Sequence, residues 1–223
     1  MRLLPALLIA LVGVSQALVA QNTILPPASE LAQALQNRYN RIHDFSADFT
    51  QTYEGGVLRK KIIERGTVLI KKPGQMRWTY TTPLEKIFVS DGHMTYFYVP
   101  DDQQVRINPL PTDGGTSSAV LFFVGEGDLM RDFQISHADT VASQNNYALR
   151  LIPYEQQADY EWLIIEIDRK NLQINGLITG DKQGGTSRFS LDNIKENIGL
   201  TKETFTFNIP DKVDVIGSEY LNH

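Results

Sequence analysis

Residues 68–83 read VLIKKPGQMRWTYTTP, two β-prone runs separated by a turn. Val68–Ile70 ends one strand, Lys71 and Lys72 lead into Pro73-Gly74, and Gln75–Tyr80 runs back. Proline presets φ and glycine supplies φ > 0, so Pro-Gly between such runs is a turn signal with a mechanism. Strand side chains alternate faces, so Met76, Trp78 and Tyr80 share one face of the returning strand. The hairpin therefore carries two lysines at its tip and a large apolar face beside them. It belongs either to an ordinary sheet or to a greasy interior with a charged group at its rim.

The same alternation extends outward in both directions. Upstream, Phe45, Ala47 and Phe49 alternate with Ser46, Asp48 and Thr50. Strand candidates follow around Leu58–Ile63, Gly66–Lys71, Gln75–Tyr80, Lys86–Ser90, His93–Val99 and Gln104–Leu110, punctuated by Gly55-Gly56, Asp91-Gly92 and Pro100–Asp102. Strands joined by tight turns make an antiparallel meander. Before it, Leu31, Leu35, Tyr39 and Ile42 recur near the helical period behind Ser29 as a cap, predicting a helix over Ser29–Arg41.

The meander breaks at LPTDGGT, residues 110–116. The next stretch, SSAVLFFV (117–124), is compatible with a strand, but a cap at Ser117 and glycines at 125 and 127 favour a short helix, extended by a turn over Asp128–Arg131. Strands then return at Phe133–Ser136, Tyr147–Pro153, Trp162–Asp168, Leu172–Thr179, Ser187–Ile194 and Glu203–Phe207, with Arg169–Asn171 a better turn than Asn175-Gly176. A sheet of about a dozen strands tends to curl or close. Ile87–Val89, Tyr96–Tyr98 and Trp162–Ile165 are apolar on both faces, so the sheet is covered on both sides or encloses something.

The 223 residues carry a net charge of −5, with 42% hydrophobic and 21% charged residues, which is the balance of a soluble globular chain. Neither a basic patch for nucleic acid nor a polybasic cluster for an anionic membrane occurs. Arg2, an apolar run over Leu3–Val14 and small residues at Ala17 and Ala20 predict an export signal, too short to span a bilayer. The expected organisation is a signal peptide over 1–20 and one domain over 21–223. There is no cysteine, which excludes disulfides, thiol catalysis, cysteine metal sites and a cysteine-linked lipid anchor. His43, His93, His137 and His223 lack metal-ligand spacing, and no phosphate loop, dinucleotide fingerprint or nucleophile elbow is present. Ser90, Asp91 and His93 lie close together, but Asp91-Gly92 is accounted for as a turn. Arg59–Lys61 and Glu64-Arg65 read as a solvated strand edge. The expectation is a protein without enzymatic activity, cofactor or metal.

Residues 68–105, VLIKKPGQMRWTYTTPLEKIFVSDGHMTYFYVPDDQQV, resemble the periplasmic outer-membrane lipoprotein carrier family, LolA. The shared pattern is a strand ending in a basic residue before proline, a Trp-bearing strand, and an SDG hairpin leading to Tyr-x-Pro and Gln-Val. FSADFTQ (45–51) and FTFNIPDKVDV (205–215) look like the family's early strand and C-terminal end. The resemblance covers essentially the whole exported chain. It implies a mainly β, α+β fold: an incomplete antiparallel β-barrel with a helical lid enclosing an apolar cavity. It implies no cofactor, a periplasmic monomer, and three partners: acylated lipoproteins, an inner-membrane ABC lipoprotein-releasing transporter and an outer-membrane acceptor. Expected acyl-chain contacts are Phe49, Leu69, Met76, Trp78, Tyr80, Ile87, Val89, Tyr96, Tyr98 and Ile165, with Val120, Leu121 and Phe122 of the lid reaching inward. Lys72 stands where the family typically places an arginine that latches the lid by donating to its carbonyls, and lysine lacks the guanidinium fork. A module of the same fold for another lipid or glycolipid, or a sensor, is the competing reading.

Overall fold

The computed structural model describes residues 25–55, 61–110, 125, 127–157, 160–217 and 219. The expected signal peptide, the start of the strand expected at Leu58 and the expected lid residues Val120, Leu121 and Phe122 lie outside the described residues.

One helix, α1 (Ala28–Tyr39), precedes a six-stranded meander: β1 (Asp44–Glu54), β2 (Lys61–Lys71), β3 (Gln75–Thr82), β4 (Lys86–Asp91), β5 (Met94–Val99) and β6 (Gln104–Pro109). A single-turn helix, α2 (Leu129–Asp132), opens a second run: β7 (Phe133–His137), β8 (Asn146–Pro153), β9 (Trp162–Asp168), β10 (Ile174–Gly180) and β11 (Thr186–Glu196). A 3-10 turn (Lys202–Phe205) and β12 (Asp214–Ile216) follow. β1 pairs with β11 as well as β2, joining both runs into one sheet of order β12-β6-β5-β4-β3-β2-β1-β11-β10-β9-β8-β7. The terminal strands β12 and β7 do not pair with each other, so the sheet is open. Every described neighbour pair is antiparallel except β12 with β6.

Residues directly opposite on paired strands share a face, so the register sorts the sheet. The inner face carries Phe45, Phe49, Val68 and Ile70 on one side and Leu149, Leu151, Leu163 and Ile165 on the other. Leu31, Ala32, Leu35 and Tyr39 of α1 join these in one buried core. Leu31, Leu35 and Tyr39 of the stripe read from the sequence are thus the packing face of α1, whereas Ile42 is buried beyond its end, and the helix starts behind Pro27 without the side-chain cap expected from Ser29.

The outer face is covered by the chain's own C-terminal segment. The 3-10 turn packs on β3 and β4, and Phe205 is fully buried. Phe207 lies 5.4 Å from the ring of Tyr96 and 5.9 Å from that of Tyr98. The expected strand at Glu203–Phe207 is therefore a turn followed by an extended strap: its alternating phenylalanines fill the outer face and not a ladder. The buried carboxylate of Asp44 anchors the start of the strap, accepting from the N–H groups of Ile198, Gly199 and Leu200 at 2.7–3.2 Å. A smaller apolar cluster of Ala138, Ala148, Ile164 and Ile178 covers the outer face of the other half.

Candidate functional site

The hairpin quoted first builds the floor of the site. Cross-strand pairs Ile70–Met76, Val68–Trp78 and Gly66–Tyr80 place Met76, Trp78 and Tyr80 on the inner face, and Phe88 stands opposite Trp78 on β4. Turn chemistry fixes this register: Gly74 and Gly92 have φ +74° and +100°, and a Cβ on Gly74 would lie 3.2 Å from the Cα of Gly92. The two turns abut, tied by the Ser90 hydroxyl, which donates to the Gly74 carbonyl at 2.9 Å. Asp91 accepts from the N–H groups of His93 and Met94 at 2.8 Å. Ser90 and Asp91 are thus engaged in turn structure. Gly66 serves the same floor, since a Cβ there would sit 2.0 Å from the Thr79 carbonyl oxygen.

Above the floor, Phe49 meets Trp78 and Tyr80 edge-on, with ring centroids 5.1 and 4.9 Å away, and Phe189 lies 5.7 Å from Trp78. Together, Ile70, Met76, Trp78, Tyr80, Phe88 and Phe189 line a cavity of about 240 Å³ that Leu110 completes. Its walls are aromatic and aliphatic, with Trp78 and Tyr80 half-buried. Burial and the neighbouring Glu64 push the Tyr80 hydroxyl up to about 12, so it stays a neutral donor. A larger depression, about 540 Å³, opens on the outer face at the β1–β11 bulge, lined by Ser46, Asp48, Thr67, Asn193 and Lys195 together with the apolar Ala47, Leu69 and Ile194.

The ten expected contact residues do not share one face. Met76, Trp78 and Tyr80 line the apolar cavity, Phe49 packs on them, and Ile165 is on the same face but deep in the core with α1. Leu69, Ile87, Val89, Tyr96 and Tyr98 are on the outer face, a correction that follows from the register: Leu69 is opposite Arg77, Val89 opposite Arg77 and Tyr96, and Ile87 opposite Tyr98. Those strands are apolar on both faces because the strap covers the second one. Phe88, between Ile87 and Val89, is the β4 residue that turns inward, directly opposite Trp78, and with both parities of β4 apolar no alternation singled it out. Phe189 was out of reach, since β11 reaches the cavity through a long-range pairing.

Lys72 sits where α1 ends. Its Nζ donates to the Tyr39 carbonyl at 2.5 Å and lies 3.4 Å from the Tyr39 ring centroid. A cation at a helix C-terminus also meets the negative end of the helix dipole. Burial holds its ammonium down to about 8, opposed by the Glu196 carboxylate, which pairs with Arg38 at 2.8 Å. Its stem packs so tightly on Gly125 (φ +85°) that a Cβ there would be 2.6 Å from the Lys72 Cδ. A second tie runs from α1 to the same region: the Gln36 side chain accepts from the Leu129 N–H at 2.9 Å and donates to the Gly127 carbonyl at 3.5 Å. Lys72 therefore tethers α1, and any acceptor for it within 117–123 is outside the described residues.

No helix among the described residues is long and apolar enough to cross a membrane. The family described as outer membrane lipoprotein carrier protein LolA matches residues 40–208. An outer-membrane lipoprotein carrier protein of Bordetella avium is 30% identical over 202 residues, covering 86% of this chain and 91% of the relative. One of Nitrosomonas europaea is 28% identical over 195 residues, with the same 86% and 91% coverage. Among solved structures, an uncharacterized conserved protein of Thermus thermophilus shares the fold with a TM-score of 0.52 at 13% identity, over 83% of this chain and 98% of that one.

Proposed function

The chain belongs to the outer membrane lipoprotein carrier family, LolA, and from that premise we propose that it binds the acyl chains of lipoproteins on the inner face of its sheet. It takes them in the periplasm from an inner-membrane ABC lipoprotein-releasing transporter and delivers them to an outer-membrane acceptor. Residues 1–20 act as its export signal, and it works by binding and release, without a covalent step.

The observation that supports this reading best is the apolar cavity over β2, β3 and β4. Burying a methylene is worth about 0.8 kcal/mol, so three long acyl chains, on the order of 45 methylenes, would cost tens of kcal/mol to pass through water. A carrier need only offer an apolar site comparable to the bilayer, which turns the crossing into an exchange. A dry apolar cavity of roughly 150 Å³ holds a benzene-sized molecule, so the 240 Å³ seen takes only a short length of one chain. Loading therefore requires the elements over the inner face to move apart. Lys72, on Tyr39 and against Gly125, restrains that opening.

The test is release of a lipoprotein from spheroplasts by the purified exported chain with ATP, following an acylated lipoprotein beside its unacylated, cysteine-less control. A soluble complex with the acylated form alone is the expected result. Complexes with both forms, or a lipid or glycolipid co-purifying in place of lipoprotein, would overturn it.

A further inference from the structure

The inner face changes character in one row beyond the aromatic floor. Gln51 lies opposite Glu64 on β2 and Phe189 on β11, and Tyr80 lies opposite Lys86 on β4. The Tyr80 hydroxyl approaches Gln51 Oε1 at 3.5 Å, and Gln51 Nε2 donates to the Ser187 hydroxyl at 3.0 Å. Lys86 Nζ donates to the Glu64 carboxylate at 2.5 Å and stands 4.5 Å from the Tyr80 ring centroid. The ion pair reaches over β3 and shelters on Tyr80: the Lys86 and Glu64 side chains are 23% and 18% exposed. Tyr80 joins the two regions, since its ring lines the apolar cavity and its hydroxyl belongs to the polar row.

Resting on the carrier reading above, we propose that Lys86, held by Glu64 and flanked by Gln51, is a polar subsite for the ester carbonyls at the root of bound acyl chains. An acyl chain lying on Trp78 and Tyr80 brings its carbonyl to the edge of the apolar floor, where an unbonded carbonyl out of water is costly. An ammonium has three N–H donors and an amide two, so the row can donate to a carbonyl while keeping its own contacts. Glu64 balances the charge of Lys86, leaving a subsite that is neutral overall. It suits uncharged ester and amide carbonyls and disfavours the carboxylate of a free fatty acid, which would face Glu64.

The experiment compares two synthetic probes of equal chain length: a short peptide with an N-terminal S-(diacyloxypropyl)cysteine, and its dialkyl-ether analogue, which lacks the ester carbonyls. Each is titrated against the chain lacking only residues 1–20 by displacement of a fluorescent hydrocarbon. The unsubstituted chain should bind the ester about ten-fold more tightly than the ether, the scale of one hydrogen bond to a charged donor. Lys86→Met should remove that preference by weakening the ester alone, and Lys86→Arg should keep most of it. Equal affinities in the unsubstituted chain, which needs no variant to fold, would overturn the subsite and leave the carrier reading standing. So would an equal loss for both probes in Lys86→Met. Failure of both probes to bind the unsubstituted chain would overturn the carrier reading and the subsite with it.

Discussion

Raising the pH from 7 to 9.5 should stabilise the fold, and Lys72→Met should abolish the gain. Burial between Tyr39 and Gly125 holds the Lys72 ammonium down to about 8, against 10.5 for an ordinary lysine. The folded value lies below the unfolded one, so between about 8 and 10.5 the unfolded chain holds a proton that the folded chain has lost. Stability rises with pH wherever the unfolded state binds more protons. Below about 8 both states are protonated and the cost of the buried charge is constant. The full interval corresponds to about 3.4 kcal/mol at 1.36 kcal/mol per pH unit, and solvent screening of this half-exposed group reduces it to roughly 1–2 kcal/mol. About half of that should be gained by pH 9.5.

Urea unfolding at pH 7, 8, 9 and 9.5 measures it, with the midpoint and slope fitted for each protein. The scan stops at 9.5 because Tyr39, Tyr80 and Tyr96 titrate later in the folded chain than in the unfolded one, and so take stability away as the pH passes 10. The unsubstituted protein should gain about 0.5–1 kcal/mol and the methionine variant should be flat. An equal rise in both proteins, or a fall in the unsubstituted one, would refute the assignment of the buried ammonium. The same deprotonation removes the cation from the Tyr39 ring, so uptake of an acyl probe should quicken over this interval in the unsubstituted protein only.

The chain has two tryptophans, Trp78 in the cavity and Trp162 on the outer face over Gly180. With Trp162→Phe, an acyl probe should blue-shift the remaining emission; with Trp78→Phe it should not, read by steady-state fluorescence. Gly125→Ala forces an L-residue into φ +85° and sets its Cβ 2.6 Å from the Lys72 Cδ, so it should cost about 1–2 kcal/mol from the backbone alone. Combined with Lys72→Ala, the loss measured by urea unfolding should be less than additive. Asp44→Ala strips acceptors from three N–H groups at 198–200 and should cost about 3 kcal/mol. Limited trypsin digestion should then cut at Lys202 well before the unsubstituted protein is touched.

What was legible in the sequence was local. The Pro73-Gly74 and Asp91-Gly92 turns, the inward trio of Met76, Trp78 and Tyr80, and the α1 stripe all follow from spacings of a few residues. The choice of face on β4 and β5 was not legible. In KIFVSD and MTYFYV both parities are apolar, so alternation cannot say whether Phe88 or its neighbours Ile87 and Val89 look inward. That choice is made by Phe205 and Phe207, more than a hundred residues downstream, which cover the outer parity. The resemblance to a family of carriers named the fold, but carried no information on which parity meets the cavity. Likewise, Phe189 joins the floor only because β1 pairs with β11, a contact that no local pattern encodes.

The two faces also divide the energetics, because a carrier must stay folded when its cargo leaves. Val89, Val105, Ile107 and Phe205, on or against the outer face, are all fully buried, whereas on the inner one Trp78 and Tyr80, unlike Val68, Ile70 and Met76 beside them, are only half-buried. Phe205→Ala should therefore cost about 3–5 kcal/mol of stability, while probe affinity per folded molecule stays within two-fold. Trp78→Ala removes a cavity wall and should weaken the probe about ten-fold, with a stability loss below that of Phe205→Ala because Trp78 is only half-buried and its removal opens onto the cavity instead of leaving a closed void. Urea unfolding and probe titration on both variants separate these cases. If Phe205→Ala weakened the probe as much as Trp78→Ala, the two faces would be a single coupled core. Emptying the cavity would then draw on the same contacts that hold the sheet together.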